Sequence, residues 1–405
     1  MNIALFSDSY LPTKSGIVTV VVQLREQLIK AGHNVVLVTV QTTPEFATDD
    51  PDIYRTKSVP LGLGTDQFLS IPKMKPLIKF LKEKKIDIIH CHTEFGLGKA
   101  GLKAARKLGI PAICTTHTMW VLFYKHYLPC GKLIPPGIIN AILNHYYKQF
   151  DSLIGVSTKA RNFFKQPKML PNQPSAIVPN AIDRSKFQAT HITAQERHEL
   201  RAKYGFADDD KIMLFVGRVG EEKRVFELLE VCKKVCAANP KYKMIFVGNG
   251  PAFEEMQNRA AENIANGSIV FAGFIEWVKV HAFYESCDLF VTTSLSEMHS
   301  MTILEAQLSG LPIVVRNDES YADCVFDGVN GYVTQSEDEM SEKIISLLGD
   351  DKKLKEFGQA GLETTKKFTI ETHVNKTVEV YNQVLKAYPN KINDEEVNKI
   401  LKEKF

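Results

Sequence analysis

The 405 residues are 44% hydrophobic and 24% charged, enough apolar material for real cores, which excludes bulk disorder. A chain of this length exceeds one ordinary core, so two domains of about 150 to 200 residues are expected and a disulfide-stapled miniprotein is excluded. Lysine and arginine total 50 against 47 acids, a net charge of +3, so the overall charge gives no support for a nucleic-acid partner and any basic partner surface must be local.

The chain opens with a short apolar run at 3–7, followed by Pro12 and Gly16, a helix-period stretch ending at Ala31-Gly32, and a second apolar run at 35–40. This is a strand-loop-helix-strand start. Similar runs follow at 86–90, 112–116, 153–156 and 176–179, each separated by enough chain for a helix. Buried parallel strands have this form, an unbroken apolar run and not an alternation. The pattern restarts at Lys211, with strands expected at 212–216, 244–247, 269–272, 289–292 and 313–315, and only helices are expected after Gly331.

Two doubly wound α/β halves result. Pro179-Asn180-Ala181-Ile182-Asp183 interrupts the periodicity and is the expected hinge. The expected domains are therefore 1–180, rejoined by a C-terminal helix within 376–405, and 181–375. In open parallel sheets ligands bind outside the carboxyl ends of the strands, so two such domains facing one another would create a cleft. Seven cysteines, odd in number and without a C-x-x-C pair, fit a reducing compartment. The first residues, Met1 to Asp8, lack a basic segment, and no apolar run approaches ~18 residues, so neither a secretion signal nor a membrane span is expected.

Four clusters just after strands could carry chemistry. Ser15-Gly16-Ile17 opens a helix, where a glycine lets backbone amides approach an anion; a tight turn would look the same. The full G-x-G-x-x-G fingerprint is missing here and at Gly248-Asn249-Gly250-Pro251, which disfavours a nicotinamide-dependent enzyme. Gly217-Arg218-Val219-Gly220-Glu221-Glu222-Lys223 offers an Arg fork and a Lys point charge that can hold a diphosphate without metal, although surface charges can have this spacing too. Glu297 and Glu305 are separated by seven residues. The first is expected in a strand-helix loop and the second on a helix beginning near Ser300, whose N-terminus favours phosphate. Finally, Thr116-His117-Thr118 and His90-Cys91-His92 place histidines after neighbouring strands. Zinc on His90, His92 and His117 would lack a fourth ligand at recognisable spacing, so no metal is expected.

Gly-Arg-Val-x4-Lys, Gly-Asn-Gly-Pro, Asp288 in Cys-Asp-Leu-Phe-Val, the Glu-x7-Glu pair and Val-Pro-Asn-Ala-Ile-Asp together resemble the retaining GT-B glycosyltransferases of family 4, over roughly residues 1–388. The resemblance implies two Rossmann-like domains facing across a cleft. It also implies that Gly16, Arg218 and Lys223 hold the diphosphate of a sugar nucleotide and that Asn249 joins the donor-binding set. Glu297 would bind hydroxyls of the transferred sugar, Glu305 the ribose, and His117 the sugar near the reacting centre. In place of the family's Glu-Gly-Phe-Gly turn this chain has Glu297-Met298-His299-Ser300-Met301. The amides of Ser300 and Met301 can still face a phosphate, but from a less permissive turn.

Between Lys73 and Lys85 six lysines, including Lys75, Lys79 and Lys82, meet one glutamate, while Met74, Leu77, Ile78 and Leu81 share one helix face. That pattern suits a helix lying in the plane of an anionic membrane surface, or a helix packed on a core with its lysines in water. Trp120, Phe123, Tyr124 and Tyr127 repeat the spacing beside His117, as an acceptor groove near the headgroups or as core. With His92-Thr93-Glu94-Phe95 and Ser7-Asp8-Ser9-Tyr10-Leu11-Pro12, these features resemble the bacterial glucosyltransferases acting on diacylglycerol. The resemblance implies transfer of glucose, with galactose as the alternative, from UDP-glucose or UDP-galactose to diacylglycerol with retention. It implies no cofactor and a cytoplasmic protein peripheral on the inner face of the cell membrane. Addition of a second sugar to a glycolipid or a polysaccharide precursor is the nearest alternative. A catalytically weak, membrane-bound partner subunit is the alternative of another class.

Overall fold

The computed structural model describes residues 1–13, 15–42, 50–60, 68–94, 96–120, 124–125, 131–187 and 191–404. It divides into two compact units, Met1–Ala181 with Ile370–Phe405, and Ile182–Thr369. The chain rejoins the first unit at Ile370, not at the expected 376.

In the first unit the strands are β1 (Asn2–Ser7), β2 (Asn34–Gln41), β3 (Ile53–Lys57), a short hairpin of β4 (Val59–Pro60) and β5 (Phe68–Leu69), β6 (Ile88–Cys91), β7 (Ala112–Thr116), β8 (Ser152–Gly155) and β9 (Ser175–Ile177). Apart from the hairpin they form one parallel sheet in the order β3-β2-β1-β6-β7-β8-β9. Alternate residues of each strand feed two apolar layers: Ala4, Phe6, Val36 and Val38 one, Ile3, Leu5, Val35 and Leu37 the other. Covering both faces is why these strands read as unbroken apolar runs.

The second unit repeats the plan with β10 (Lys211–Val216), β11 (Tyr242–Val247), β12 (Ile269–Gly273), β13 (Leu289–Thr292), β14 (Ile313–Arg316) and β15 (Gly331–Thr334). The order is β12-β11-β10-β13-β14-β15, again all parallel. In each sheet the winding reverses beside the first strand, between β1 and β6 and between β10 and β13. Such switch points leave a crevice at the strands' carboxyl ends. β3 and β15, which the apolar-run pattern did not mark, are both edge strands.

The helix Gly16–Lys30 is capped by Ser15, whose hydroxyl accepts from the Val18 amide, and buries Val18, Val21, Leu24 and Leu28 at helical spacing. The helices Ile370–Ala387 and Asp394–Lys404 return to the first unit, adding Val374, Tyr381 and Val384, then Val397 and Leu401, to the layer that contains Ile3 and Leu5.

Two expectations about membrane-facing residues are corrected. In the helix Met74–Glu83, Leu77 and Leu81 are fully buried in the first unit's core, with Met74 and Ile78 packed against it, while Lys75, Lys79 and Lys82 are exposed. The apolar face is covered by the fold itself and is not offered to a bilayer. Trp120 and Tyr124 are core residues as well: the Trp120 indole N–H donates to Glu94, and the Tyr124 hydroxyl donates to the Ile134 carbonyl. They do not line a surface groove. Phe123 and Tyr127 lie outside the described residues. No helix among the described residues is long and apolar enough to cross a membrane.

Candidate active site

The second unit brings Arg218, Lys223 and Glu297, three of the residues expected to hold the donor, to the β10/β13 switch point. Gly217 leaves β10, Arg218 and Val219 follow, and a short 3-10 turn at Glu221–Lys223 leads through a left-handed Arg224 into the helix Val225–Ala238. Lys223 Nζ lies 2.6 Å from Glu297 Oε1 in the loop after β13, both side chains about one-fifth exposed. Arg218 is more open, with its Nε 3.7 Å from Glu222 Oε1. The two loops are stitched together: Ser296 donates to the Glu222 carbonyl at 2.8 Å and Thr293 to the Arg224 carbonyl at 2.7 Å. Tyr321 donates to the Ser294 carbonyl at 2.6 Å.

Gly-Asn-Gly-Pro is a packing device for the same loops. Gly248 has φ +138°, and a Cβ on it would fall 1.8 Å from the Gly217 carbonyl oxygen, so only glycine allows this approach. The Asn249 carbonyl accepts from Val219 N, and its side chain accepts from the Gly250 amide at 2.7 Å, within its own turn. The structure thus gives Asn249 a loop-shaping part.

The helix Met301–Leu308 has Ser300 as its N-cap residue in an extended conformation, φ −74°, with no side-chain capping bond. No left-handed residue is needed, which is why the turn closes without glycine. Ser300 instead pairs with the Thr302 hydroxyl at 3.0 Å, and His299 packs against Phe368 with the rings tilted at 54°. One turn on, Glu305 is buried; Trp277 Nε1 donates to it at 3.0 Å and the Tyr284 hydroxyl at 2.8 Å. Burial raises its carboxyl above the ordinary value, opposed by these two hydrogen bonds. Trp277 and Tyr284, seven apart on one helix, were not singled out in the sequence. Their spacing marks one helix face but says nothing about a buried acid.

In the first unit the histidines form a connected stack. His90 of β6 bonds Tyr381 through Nδ1 and Thr115 through Nε2, both at 2.7 Å. His92 Nδ1 is 3.1 Å from His117 Nε2, and His373 Nδ1 donates to the Pro179 carbonyl at 2.7 Å. Burial holds all four below the ordinary histidine value, reinforced by neighbouring rings at His90, His92 and His117 and by Lys376 at His373, with His117 at about 3, so the four are neutral. Among the described residues no group of three or more His, Cys, Asp or Glu side chains has the arrangement of a metal site.

Two buried carboxyls follow β1 and β6. Asp8 accepts from the Thr93 hydroxyl and the Leu97 amide, at the start of the helix Gly96–Leu108. Glu94 accepts from Trp120 at 2.9 Å and from the Tyr147 hydroxyl at 2.7 Å. Burial raises Asp8 to about 6 and Glu94 to about 7, against the hydrogen bonds each receives. Gly16 starts its helix, and apart from its chain neighbours and that helix's own backbone no atom of the described residues lies within 4 Å of an added Cβ.

Two family models match the chain, Glycosyltransferase Family 4 over residues 14–186 and Glycosyl transferases group 1 over residues 196–364. The chain is similar to the alpha-monoglucosyldiacylglycerol synthase of Acholeplasma laidlawii, 28% identical over 400 residues that cover 97% of this chain and 100% of the relative. It is also similar to the alpha-monoglucosyldiacylglycerol synthase of Streptococcus pneumoniae, 29% identical over 348 residues, 86% of this chain and 78% of the relative. Among solved structures it resembles HepE of Anabaena in complex with UDP, with a TM-score of 0.73 at 17% identity, covering 94% of this chain and 100% of that one; this likeness concerns the fold.

Proposed function

The chain belongs to the GT-B glycosyltransferases of family 4, and from that premise we propose that it transfers glucose, with galactose as the alternative, from a UDP-sugar to the free hydroxyl of diacylglycerol, with retention at the anomeric carbon. The observation that carries the donor half is the Lys223–Glu297 pair at the switch point of the second sheet, with Arg218 on the same loop. The choice of lipid acceptor draws on the similarity to two alpha-monoglucosyldiacylglycerol synthases, and the choice of UDP on the fold likeness to a UDP complex.

Arg218 and Lys223 stabilise the negative charge that grows on the departing diphosphate, an electrostatic contribution commonly among the largest in catalysis. The amides at Ser300 and Met301, uncapped by any side chain, supply a second anion contact at the N-terminus of their helix. Glu297 accepts from sugar hydroxyls, and His117, neutral by its surroundings, contacts the transferred sugar. Glu305 already receives two bonds, but each carboxylate oxygen keeps a further lone pair for a ribose hydroxyl. The diphosphate oxygen that leaves the anomeric carbon takes the proton of the incoming hydroxyl, so the new glycosidic bond forms on the face the donor vacates and no carboxylate nucleophile is used. Gly16 fits a diphosphate approaching backbone, since the chain's own packing does not demand a glycine there.

No metal or cofactor has a part in these steps, and turnover unchanged by EDTA is the expected result. The protein acts at the inner face of the cell membrane as a peripheral enzyme. The deciding experiment measures UDP release from UDP-glucose and UDP-galactose with vesicles that contain or lack diacylglycerol. Release that requires diacylglycerol, with an α-linked product by NMR, is expected. Release only with a monoglycosylated lipid would move the assignment to addition of a second sugar, and no release with any UDP-sugar would overturn it in favour of a non-catalytic subunit.

A further inference from the structure

Glu305 is a buried acid without a cation. It is 6% exposed, and among the described residues it is in no ion pair; two neutral donors meet its carboxylate instead, Trp277 Nε1 at Oε1 and the Tyr284 hydroxyl at Oε2. Burying a carboxylate costs free energy that neutral hydrogen bonds offset only in part. Packing does not call for an acid here, because Ile303, Leu304 and Leu308 of the same helix already fill the core. The indole does not call for one either: Trp277 is 42% exposed at the first turn of the helix Trp277–Ser286, where its N–H can be given to water. The bond therefore serves the acid.

The last torsion of a glutamate side chain is broad, so a rotamer alone does not set the plane of the carboxylate. One donor on each oxygen does set it. Trp277 and Tyr284 stand two turns apart on one helix, and the buried Phe187 packs against both rings, with centroids 6.3 Å and 5.8 Å away, which holds the two donors in place. Each carboxylate oxygen keeps a further lone pair, so what remains is a pair of acceptor sites at fixed spacing. Two neighbouring hydroxyls of one ligand satisfy both sites; a single hydroxyl leaves one of them unpaired. We propose that Trp277 and Tyr284 are positioning residues that fix the plane of the Glu305 carboxylate so that it accepts both hydroxyls of a ribose cis-diol, one per oxygen, and that they thereby make the site select a ribonucleotide donor over a deoxyribonucleotide. The inference rests on the reading of Glu305 as the acid that meets the ribose, and deepens it by naming what gives that acid its geometry and its selectivity.

Calorimetric titration of the full chain with UDP, 2′-deoxy-UDP and 3′-deoxy-UDP tests this. Wild type is expected to bind UDP at least about tenfold more tightly than either deoxynucleotide, the size of a hydrogen bond to a charged group. Trp277→Phe and Tyr284→Phe each keep a ring and remove one donor. In both, the preference is expected to fall below about threefold, through weaker binding of UDP. A general loosening of the unit weakens all three nucleotides alike and leaves their ratio intact, so a wild-type ratio in both variants overturns the proposal, whatever their unfolding midpoints. Glu305→Ala separates the proposal from the reading beneath it. If that variant loses the preference while both phenylalanine variants keep it, Glu305 meets the ribose and the positioning roles alone fail. If Glu305→Ala itself keeps the preference, the ribose reading of Glu305 fails and the positioning roles fall with it.

Discussion

Lys223 and Glu297, 74 positions apart, meet at 2.6 Å because β10 and β13 are neighbours at the point where the second sheet reverses its winding. The ammonium is held in place before any donor arrives, and a diphosphate would add its charge to a preset cation. Lys223→Ala is expected to lower kcat/KM for the UDP-sugar by about 10²- to 10³-fold, the usual loss when a preorganised electrostatic group is removed. Lys223→Arg, which keeps the charge in a different shape, should recover part of it. Steady-state UDP release measures both, and wild-type turnover in Lys223→Ala would reduce the pair to a loop tie.

Glu94 should show its burial in the pH dependence of stability. Its carboxyl stands at about 7 in the folded chain against an ordinary 4.5, so the protonated folded form is favoured. That contribution is full below about pH 4.5 and is lost as pH rises through about 7. Glu94→Gln cannot ionise and also replaces one acceptor of the Trp120 and Tyr147 bonds, costing about 1 to 3 kcal/mol. The stability gap between wild type and variant is therefore expected to be wide near about pH 5 and narrower near about pH 8. The buried histidines act in the opposite sense, but they are common to both proteins and cancel. Thermal unfolding at the two pH values checks this, and a constant gap would refute it.

The central strands were legible because burial on both faces leaves an unbroken apolar run. β3 is Ile-Tyr-Arg-Thr-Lys and β15 Gly-Tyr-Val-Thr, edge strands whose polar residues hide them from that signal. The rule that function follows strand ends pointed to Arg218, Lys223, Glu297, His92 and His117, whereas Trp277 and Tyr284, which bond Glu305, and His373 answer to tertiary packing alone. Helical periodicity marked the apolar face of Met74–Glu83 and part of the stripe at Trp120 and Tyr124. It could not say what covers an apolar face, since core and bilayer demand the same spacing.

His92 acts on His117 through one hydrogen bond between ring nitrogens, 3.1 Å, with the rings stacked at 5.4 Å. Since both rings are neutral, one must donate and the other accept, which couples the tautomers of the two rings. His92→Phe keeps the stacking area and removes the bond. It is expected to reduce kcat about tenfold or more through misplacement of His117, with little change in KM for the UDP-sugar. His92→Gln, able to donate or accept, should restore part of kcat. Equal loss in both variants, together with a lowered unfolding midpoint, would assign His92 to packing and not to positioning.

Asn398 closes the exposed edge of the first sheet. Its Oδ1 accepts from the Ile177 amide at 2.8 Å and its Nδ2 donates to the Ser175 carbonyl at 2.9 Å, so one side chain satisfies both kinds of backbone group on β9. Asp394, one turn earlier on the same helix, accepts from the Ser175 amide and pairs with Lys165 at 2.7 Å. The Lys/Glu-rich tail is thus a cover for a strand edge that would otherwise template pairing with another chain. Asn398→Ala leaves the Ile177 amide without its partner, while the Ser175 carbonyl keeps its bond from Arg161 Nε at 3.2 Å, and is expected to cost about 1 to 3 kcal/mol, with a raised tendency to self-associate. Asn398→Asp keeps the acceptor for Ile177 but loses the donor to Ser175, and places a negative charge beside that carbonyl. It should therefore be destabilised as well, by a route that acid relieves: protonating the carboxyl restores a donor, so its deficit shrinks at low pH while that of the alanine variant does not. Denaturant unfolding with light scattering reads both, and an alanine variant as stable and as monodisperse as wild type would show that water serves this edge equally well.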